Sequence, residues 1–361
     1  MSKNLPSIFS SSDAPLATVN GGQRIATRMA ENLLSVARTQ EQALAAQRRY
    51  HIGDYEFREA DHAQIQRWAR MLGMEPEQVV EVLASSQKEQ PFAGITTTFD
   101  IEDGRIVSLV WDFAILPLTD WAWIRGLQVE RLAILNAPQE PLPRLPECLC
   151  ELICEDNPIT SLTLTNVPLL KKLNCRENRL TELDLTLVPM LQVLWCEDNQ
   201  LTALDLRHVP RLEFLLCCCN QLADLDLSPV PRLDTLAYSN NKLAALCLKL
   251  MPELQFLQCD RNRLTELDLT PVPGLQCLSC RRNQLTSLDL TPVPLLEDLY
   301  CSMNQLTELD LTPVPRLQNL WCNMNQLTEL DLTPVPRLQN LWCDASLNIT
   351  GAPPNLNIYR V

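Results

Sequence analysis

The chain contains 15 cysteines in 361 residues, and their spacing raises three chemical possibilities: disulfides, a metal site and a nucleophile. Most of them recur every 21 residues, or every 42 where Tyr238 takes the place between, at positions 154, 175, 196, 217, 259, 280, 301, 322 and 343. Two close groupings, Cys277-x-x-Cys280 and the run Cys217–Cys219, invite zinc, since thiolates are its preferred ligands. Whether any of this chemistry is available depends on the elements that hold the thiols.

The same 21-residue interval governs other residues, which makes the chain a tandem array. Leucine keeps it from 152 to 341 and asparagine from 157 to 325, and residues 304–322 and 325–343 are the same string, NQLTELDLTPVPRLQNLWC. One unit is L-x-x-L-x-C-x-x-N-x-L-T-x-L-D-L-T-P-V-P-x. Its L-x-C stretch alternates with period two, which predicts a strand whose leucine and cysteine point to one side. Stacked neighbours must then complete the core, because one unit cannot bury its apolar side alone.

This alternation argues against both metal and disulfides. Cys280 should face the core and Cys277 the opposite side, so the two cannot share an ion, and Cys218 is likewise separated from its neighbours. Thiols on adjacent strands, about 4.8 Å apart, lie side by side, whereas a disulfide needs convergent Cβ vectors and a dihedral of about 90°. We therefore predict nine reduced thiols that act as small buried hydrophobic residues, with no metal and no cofactor. A reduced ladder fits a cytosolic compartment.

The asparagine of each unit stands where the chain leaves the strand. Its amide is expected to bond backbone groups that the turning loop would otherwise leave buried and unpaired. The T-P-V-P stretch excludes a helix on the return side, because proline removes a donor and restricts the residue before it, so extended or polyproline II backbone is expected.

Over about residues 106–350 the repeat resembles the leucine-rich repeat family, specifically the bacterial 21-residue class with a cysteine in the strand, as in internalins. The resemblance implies a parallel β-solenoid whose concave sheet recognises a protein. Internalins are exported and anchored to the wall, whereas this sequence shows neither a signal peptide nor a sorting motif, so an adhesin role is not expected. Some bacterial relatives are ubiquitin ligases with a Cys-x-Asp site, which Cys154-Glu-Asp156 and Cys196-Glu-Asp198 match. Those sites lie in a large helical domain that is missing here, and both cysteines occupy core positions, so catalysis is not expected.

The predicted architecture is α/β, with a small helical N-terminal region followed by a leucine-rich repeat β-solenoid of about twelve strands. We expect a disordered Ser-rich segment at 1–22, a helical region at 23–90, a β-hairpin cap and first repeat at 91–126, repeats at 127–347 and a C-terminal cap at 348–361. The hairpin turns at Asp103-Gly104, between two alternating apolar runs. The convex side of the curved parallel sheet should be extended and non-helical.

The N-terminal region leaves a second function open. Apolar spacing predicts helices at 23–50, at 61–72 and from Pro76 to residue 83. The string IQRWARMLGMEPEQVVEVL resembles a short bacterial helical domain of unknown function and, more loosely, a helix-turn-helix. A nucleic-acid-binding regulator is therefore the alternative, and an enzyme within the first 100 residues is a third hypothesis that no constellation supports. The segment is nearly charge-balanced, so we favour a helical hairpin that packs on the solenoid cap.

The charge distribution narrows the range of partners. A net charge of −14 argues against a nucleic-acid or anionic membrane surface, and no apolar run is long enough to span a bilayer. The acidic column of the L-D-L segments is expected to be a solvated outer face rather than a cation site. Its members are Asp184, Asp205, Asp226, Asp268, Asp289, Asp310 and Asp331.

The variable outward positions should determine specificity. Tyr300, Trp321 and Trp342 would form a contiguous exposed strip, and such aromatics are common anchors of protein interfaces. Two alternatives would also explain why these aromatic residues are present: duplication of the last repeats, and simple stacking of the rings on one another. An acidic patch is expected from Glu155, Glu177, Glu197 and Asp198. The predicted partner-binding residues are Trp195, Phe214, Phe256, Tyr300, Trp321, Trp342, Arg261, Arg281 and Arg282.

These features together predict a non-enzymatic module, expected to be a monomer, that binds another protein on its concave face. The partner's identity lies beyond the sequence. The module is expected to be cytoplasmic, or to be a bacterial effector delivered into a host cell by a specialised system without a cleaved signal peptide.

Overall fold

A computed structural model of the chain describes residue 35 and residues 48–85, 87–90, 95–118, 121–124, 126–138, 142, 144–248 and 251–361. The predicted disordered segment at 1–22 lies outside the described residues, and so does nearly all of the predicted helix at 23–50. At its far end that helix prediction is wrong, because Tyr50 begins a β-strand. The predicted domain boundaries stay predictions.

Within the described residues the elements are two α-helices, a short 3-10 helix and twenty strands. The helices are α1 (Glu59–Leu72), α2 (Pro76–Ser85) and the 3-10 helix Trp121–Ile124. The strands are β1 (Tyr50–Ile52), β2 (Tyr55–Phe57), β3 (Gln87–Gln90), β4 (Ile95–Thr98), β5 (Asp100–Glu102), β6 (Arg105–Asp112), β7 (Arg131–Leu135), β8 (Glu151–Ile153), β9 (Lys172–Asn174), β10 (Val193–Trp195), β11 (Phe214–Leu216), β12 (Thr235–Ala237), β13 (Phe256–Gln258), β14 (Cys277–Ser279), β15 (Asp298–Tyr300), β16 (Asn319–Trp321), β17 (Glu329–Asp331), β18 (Asn340–Cys343), β19 (Asn348–Thr350) and β20 (Asn357–Arg360).

One fourteen-stranded sheet runs the length of the solenoid, from β5 to β20. Twelve of its strands, β6 to β16 and β18, are parallel and consecutive, and equivalent leucines pair across them, as Leu194 does with Leu215. The predicted number of coils is therefore confirmed. At the N-terminal end β5 pairs antiparallel with β6 through the predicted turn. Both of its turn residues, Asp103 and Gly104, have positive φ (49° and 73°), as a two-residue type I′ hairpin requires.

The core is built from columns of leucine and cysteine that point into each coil. All nine ladder cysteines are buried, with exposed fractions of 0–1%, and Tyr238 is buried at the position where cysteine is missing. The inward orientation predicted from the L-x-C alternation is therefore confirmed. Each of the fifteen cysteines is a free thiol.

The repeated asparagine joins each coil to the one before it. In Asn199, Nδ2 donates to the carbonyl oxygens of Glu197 (3.1 Å) and of Cys175 in the preceding coil (2.9 Å). Its Oδ1 accepts the backbone N–H of Leu180, also in the preceding coil, at 2.9 Å. The predicted satisfaction of buried backbone groups is confirmed, and most of the satisfied groups belong to a neighbouring coil.

The convex side has no helix in residues 144–248 and 251–361, as predicted. Its T-P-V-P stretch makes consecutive tight turns rather than continuous polyproline II: Val293 N–H bonds the Leu290 carbonyl (3.0 Å) and Leu296 N–H bonds that of Val293 (3.1 Å). Pro294 stands at position i+1 of the second turn, which the fixed φ of proline suits as well as it suits polyproline II. The L-D-L aspartates assist, since Asp289 Oδ1 accepts the Thr291 N–H at 2.9 Å. Hydrogen bonds from the Thr291 hydroxyl and from this N–H lower the pKa of the Asp289 carboxyl group. The aspartate column therefore shapes turns.

The N-terminal helices cover the first coil, as favoured from the sequence. Trp68 of α1 makes edge contacts with Trp111 of β6 (5.1 Å between centroids) and Trp123 (6.5 Å), which stack on each other at 4.3 Å. The Trp68 Nε1 and Gln64 Nε2 atoms both donate to the Trp123 carbonyl, at 2.8 and 2.7 Å. Removing residues 1–90 would therefore strip the cover from the core. No helix within the described ranges is both long and apolar enough to cross a bilayer.

Candidate functional site

The outward positions of the strands form one face of the sheet, which we call the concave face, and its first half contains a closed apolar cluster. Val110, Ala133, Ile153 and Trp195 form one buried cluster, onto which the half-buried Phe214 and Leu216 pack. Trp195 is only 3% exposed, so it presents little surface to a partner, and its predicted role in binding stays a prediction. The cause of this burial is its neighbour in the next coil: the Phe214 ring meets the indole edge-on at 6.0 Å.

The second half of this face contains an aromatic strip, which we define as Tyr300, Trp321, Trp342 and Tyr359. Successive ring centroids are 5.3, 4.5 and 4.3 Å apart. The first three rings are half-buried because they partly cover one another, and Tyr359 is 45% exposed. The strip is contiguous, as predicted, but its rings are less exposed to solvent than the sequence led us to expect. Tyr359 was missed because it lies in the terminal segment, where the spacing to Trp342 is 17 residues rather than 21.

The guanidinium group of Arg281 lies against the aromatic strip and is held in place there. Its guanidinium carbon lies 5.6 Å from the centroid of Tyr300 and 5.4 Å from that of Trp321. It is held by Asp260, whose Oδ2 accepts from Nε (3.1 Å) and Nη2 (2.9 Å) and whose Oδ1 accepts the Arg281 backbone N–H (2.8 Å). Arg281 is therefore a paired, oriented cation rather than part of an open basic patch.

Asp260 belongs to a buried polar network that the sequence analysis overlooked. The carboxylate is 6% exposed; it accepts the Ser279 hydroxyl at 2.6 Å, and its own N–H donates to Ser239 Oγ at 3.0 Å. The sequence did contain a sign of this pair. Asp260 and Arg281 each directly follow a ladder cysteine and are 21 residues apart, so the repeat places them side by side in adjacent coils. Opposite charges at equivalent positions of adjacent coils are expected to pair across the sheet.

Beside the strip lies a groove of about 300 Å³, which we call the arginine groove. Arg261, Arg281, Arg282 and Met303 line it together with Trp321 and Trp342. Five of the predicted partner-binding residues thus line one groove, and Tyr300 lies beside it. Phe214 and Phe256 lie elsewhere on the concave face. Their role in binding a partner stays a prediction.

The left-handed backbone at one rim of this groove recurs in ten consecutive coils, from Asn136 to Met324. The residue two after the ladder position has positive φ, including Arg261 (53°), Arg282 (54°), Met303 (60°) and Met324 (57°). The earlier coils place Asp156, Glu177 and Asp198 in this column, so the rim changes from acidic to basic to apolar along the solenoid.

The predicted acidic patch contains a carboxyl group with an unusual titration. Glu197 is half-buried, and its Oε2 has no hydrogen-bond partner among the described residues. Burial raises its pKa to about 7, with Asp198 and Glu155 adding to the effect and Arg176 opposing it. At neutral pH this group is therefore only partly ionised.

Replacing Glu197 by glutamine is expected to stabilise the protein at alkaline pH. The pKa is higher in the folded chain (about 7) than its ordinary value of 4.5, so the folded state binds more protons between these values and stability falls as pH rises across that window. Glu197→Gln removes this loss, and we expect a gain of about 2 kcal/mol near pH 8 and almost none near pH 4. Urea unfolding at both pH values measures it, with the exposed Glu213→Gln as control. Equal stability of Glu197→Gln and wild type at pH 8 would contradict the burial argument.

The thiols are poorly suited to nucleophilic or metal chemistry. Burial raises the pKa of Cys154 to about 12 and that of Cys196 well above its ordinary value, so neither Cys-x-Asp string offers a thiolate. Cys280 faces the core while Cys277 is half-exposed on the other side, and Cys217 and Cys218 diverge in the same way, as predicted. Within the described ranges no group of three or more side chains could hold a metal ion.

The helical hairpin does not favour the nucleic-acid alternative. The sequence of α2, PEQVVEVLAS, contains no lysine or arginine, and its exposed charged side chains are Glu77 and Glu81. Its apolar residues Val79, Val80 and Leu83 are buried in the core. A recognition helix would have to present cations to phosphate, and this one presents carboxylates.

Comparison with known proteins identifies the class of fold. The functional domain of InlJ from Listeria monocytogenes, which includes a cysteine ladder, is 34% identical with a TM-score of 0.54, over 58% of this chain and 50% of that one. A leucine-rich repeat protein of Leptospira interrogans is 25% identical (TM-score 0.59, covering 66% and 68%), and YopM from Yersinia enterocolitica is 29% identical (0.52, covering 65% and 60%). The chain thus spans half the length of the InlJ structure. No protein-family model and no curated protein sequence matches it.

These findings define the fold as a parallel β-solenoid like that of its leucine-rich repeat neighbours, and two N-terminal helices precede it. Its column of buried thiols is a cysteine ladder, like that of the similar Listeria domain, and a bacterial origin is consistent with these neighbours. The likeness supports a protein–protein interaction module.

Proposed function

We propose that this chain is a non-enzymatic interaction module that binds a partner protein on its concave face, through the aromatic strip and the arginine groove. The observation that carries the proposal is the strip itself: four aromatic rings in mutual contact on one face of a scaffold whose interior is already complete. Trp321 and Trp342 lie outside the core that the leucine and cysteine columns form. Large aromatic surfaces beside an oriented arginine are typical of the centres of protein interfaces.

The proposed compartment follows from the thiols. Fifteen free cysteines, one of them exposed, suit a reducing environment, either bacterial cytosol or the interior of a host cell reached by a specialised secretion system. No observation favours nucleic acid as the partner.

A photo-crosslinking residue placed on either side of the solenoid tests this proposal. Met324, on the rim of the strip, and Leu187, on the convex side, have similar exposed fractions of 53% and 49%. We expect the probe at Met324 to form an adduct with a partner protein in lysate, and the probe at Leu187 to form none. Adducts from Leu187 alone, or equally from both positions, would contradict binding on the concave face.

A further inference from the structure

Resting on the proposed function, we infer that the partner docks with an acidic peptide segment, in which a carboxylate lies between Arg261 and Arg282 and an adjacent apolar side chain packs on Trp321 and Trp342. The ligand class is an aspartate- or glutamate-containing peptide with a neighbouring aromatic or large aliphatic residue.

The groove presents two cations that the described part of the chain leaves uncompensated. Arg281 is neutralised by Asp260, at 2.9 Å. The exposed guanidinium groups of Arg261 and Arg282 form no ion pair with any described residue. Because the third arginine is paired, a ligand meets a net positive site.

Val361 also lines the groove, and its terminal carboxylate forms no ion pair with either arginine among the described residues. The side-chain carboxylates on this part of the face are hydrogen-bonded to other groups. Asp298 accepts from the Asn319 side-chain amide at 2.5 Å, and Asp344 accepts the Met324 N–H at 2.8 Å. The acidic patch at Glu197 is three coils from Arg261, roughly 14 Å at the spacing of parallel strands. That exceeds the Debye length of about 8 Å at physiological salt, so the patch is largely screened from the groove.

The two arginines stand in consecutive coils at the same rim position. Arg261 N–H donates to the Arg281 carbonyl (2.8 Å) and Arg282 N–H to that of Ser302 (3.0 Å), so the two backbones are about one strand spacing, ~4.8 Å, apart. At that separation two guanidinium groups can each bind one oxygen of a single carboxylate. Charge-assisted bonds of this kind are shorter and stronger than neutral ones.

Both arginines stand at positions of left-handed backbone, with φ of 53° and 54°. Asn240 occupies the same position one coil earlier, at φ 56°, so asparagine is a conservative replacement for either arginine.

The opposite wall supplies an apolar surface directly beside the cations. Met303, Trp321 and Trp342 line it, and Arg281 is held over Tyr300 and Trp321 rather than projecting into the groove as a mobile chain. A ligand that contacts both the arginine pair and the apolar wall must place an anionic group next to an apolar one. An extended peptide with neighbouring acidic and aromatic residues does this.

Selection of short random peptides on the full chain tests the inference, with a synthetic representative of the selected peptides as the probe. We expect selected sequences to be enriched in aspartate or glutamate beside an aromatic or large aliphatic residue. The double variant Arg261→Asn/Arg282→Asn should weaken binding of the synthetic peptide by about 30-fold or more, and the affinity of wild type should fall with added salt. Asparagine tolerates the left-handed backbone, so this variant is expected to fold.

The control is Arg211→Asn/Arg232→Asn, which removes the same charge from two exposed arginines that are also 21 residues apart. It should leave the affinity within about twofold of wild type. If Trp321→Ala/Trp342→Ala abolishes binding while Arg261→Asn/Arg282→Asn behaves like the control, the acidic-peptide inference is overturned and the proposed function stands. If both variants bind normally, both fail. Selection without acidic enrichment, or strong preference for a phosphorylated peptide over its carboxylate form, would also overturn the inference.

Discussion

Replacing Trp321 and Trp342 together by alanine is expected to weaken binding of the partner by at least about 100-fold, or about 3 kcal/mol. The reason is the geometry of the aromatic strip: these are its two central rings, 4.5 Å apart, and Trp342 is also stacked on Tyr359 at 4.3 Å. Their removal breaks the strip into separate rings and deletes the wall of the arginine groove. Isothermal titration with the partner captured at Met324 measures the change.

The stability of the same variant separates binding from folding. Because the rings stack outside the core, we expect their loss to cost only about 1–2 kcal/mol of unfolding free energy. Leu169→Ala/Leu187→Ala is the matched control, since it removes two apolar side chains that are each 49% exposed on the convex side. The control should bind normally, and unchanged affinity of the tryptophan variant would refute the aromatic strip as the anchor.

Replacing Asn220 by alanine is expected to lower the free energy of unfolding by about 3 kcal/mol, because it leaves buried backbone groups unpaired. Its Nδ2 donates to the carbonyl of Cys196 in the preceding coil at 2.9 Å and to that of Cys217 at 3.3 Å. Its Oδ1 accepts the Leu201 N–H, also in the preceding coil, at 2.9 Å. The site is 8% exposed, so water cannot readily replace these bonds.

Asn220→Asp provides a sharper version of this test. Aspartate has nearly the same shape and can still accept the Leu201 N–H, but an ionised carboxylate cannot donate to the two carbonyls. It should therefore destabilise at least as much as alanine at neutral pH, whereas the exposed neighbour Gln221→Ala should change stability by no more than about 0.5 kcal/mol. Urea unfolding gives all three values. A loss below 1 kcal/mol for Asn220→Ala would show that the asparagine column does not hold the coils together.

The repetitive part of this fold was predictable because each position is sampled many times. A leucine or cysteine that recurs every 21 residues must occupy one column, and the burial of Cys196 or the pairing of Leu194 with Leu215 follows from that spacing. The helical cover of the first coil was also anticipated, because α1 and α2 have ordinary helical periodicity and Gly73 after α1 has a φ of 66°, the left-handed conformation of a helix end.

The missed features depend on neighbours that are specific to one coil. Trp195 occupies an outward position like Trp321, yet it is buried, because Leu216 stands at the equivalent position of the next coil and Phe214 of that coil packs against the indole. The ion pair of Asp260 with Arg281 lies in a network with Ser239 and Ser279, and no other coil brings these four side chains together. Tyr359 joins the strip through a strand that departs from the repeat. Periodicity predicts the column to which a residue belongs, and the packing within a column depends on the particular side chains above and below.

The register of the solenoid is the central claim, since inward sulfurs are what leave the opposite face of the sheet available for docking. Alkylation of the native and the denatured protein, mapped by peptide mass spectrometry, tests it directly. We expect no labelling of the nine ladder cysteines in the native chain, labelling confined to Cys148, Cys150, Cys218, Cys219, Cys247 and Cys277, and labelling of all fifteen after denaturation without reductant. Native labelling along the ladder, or fewer than fifteen labels after denaturation, would contradict the account.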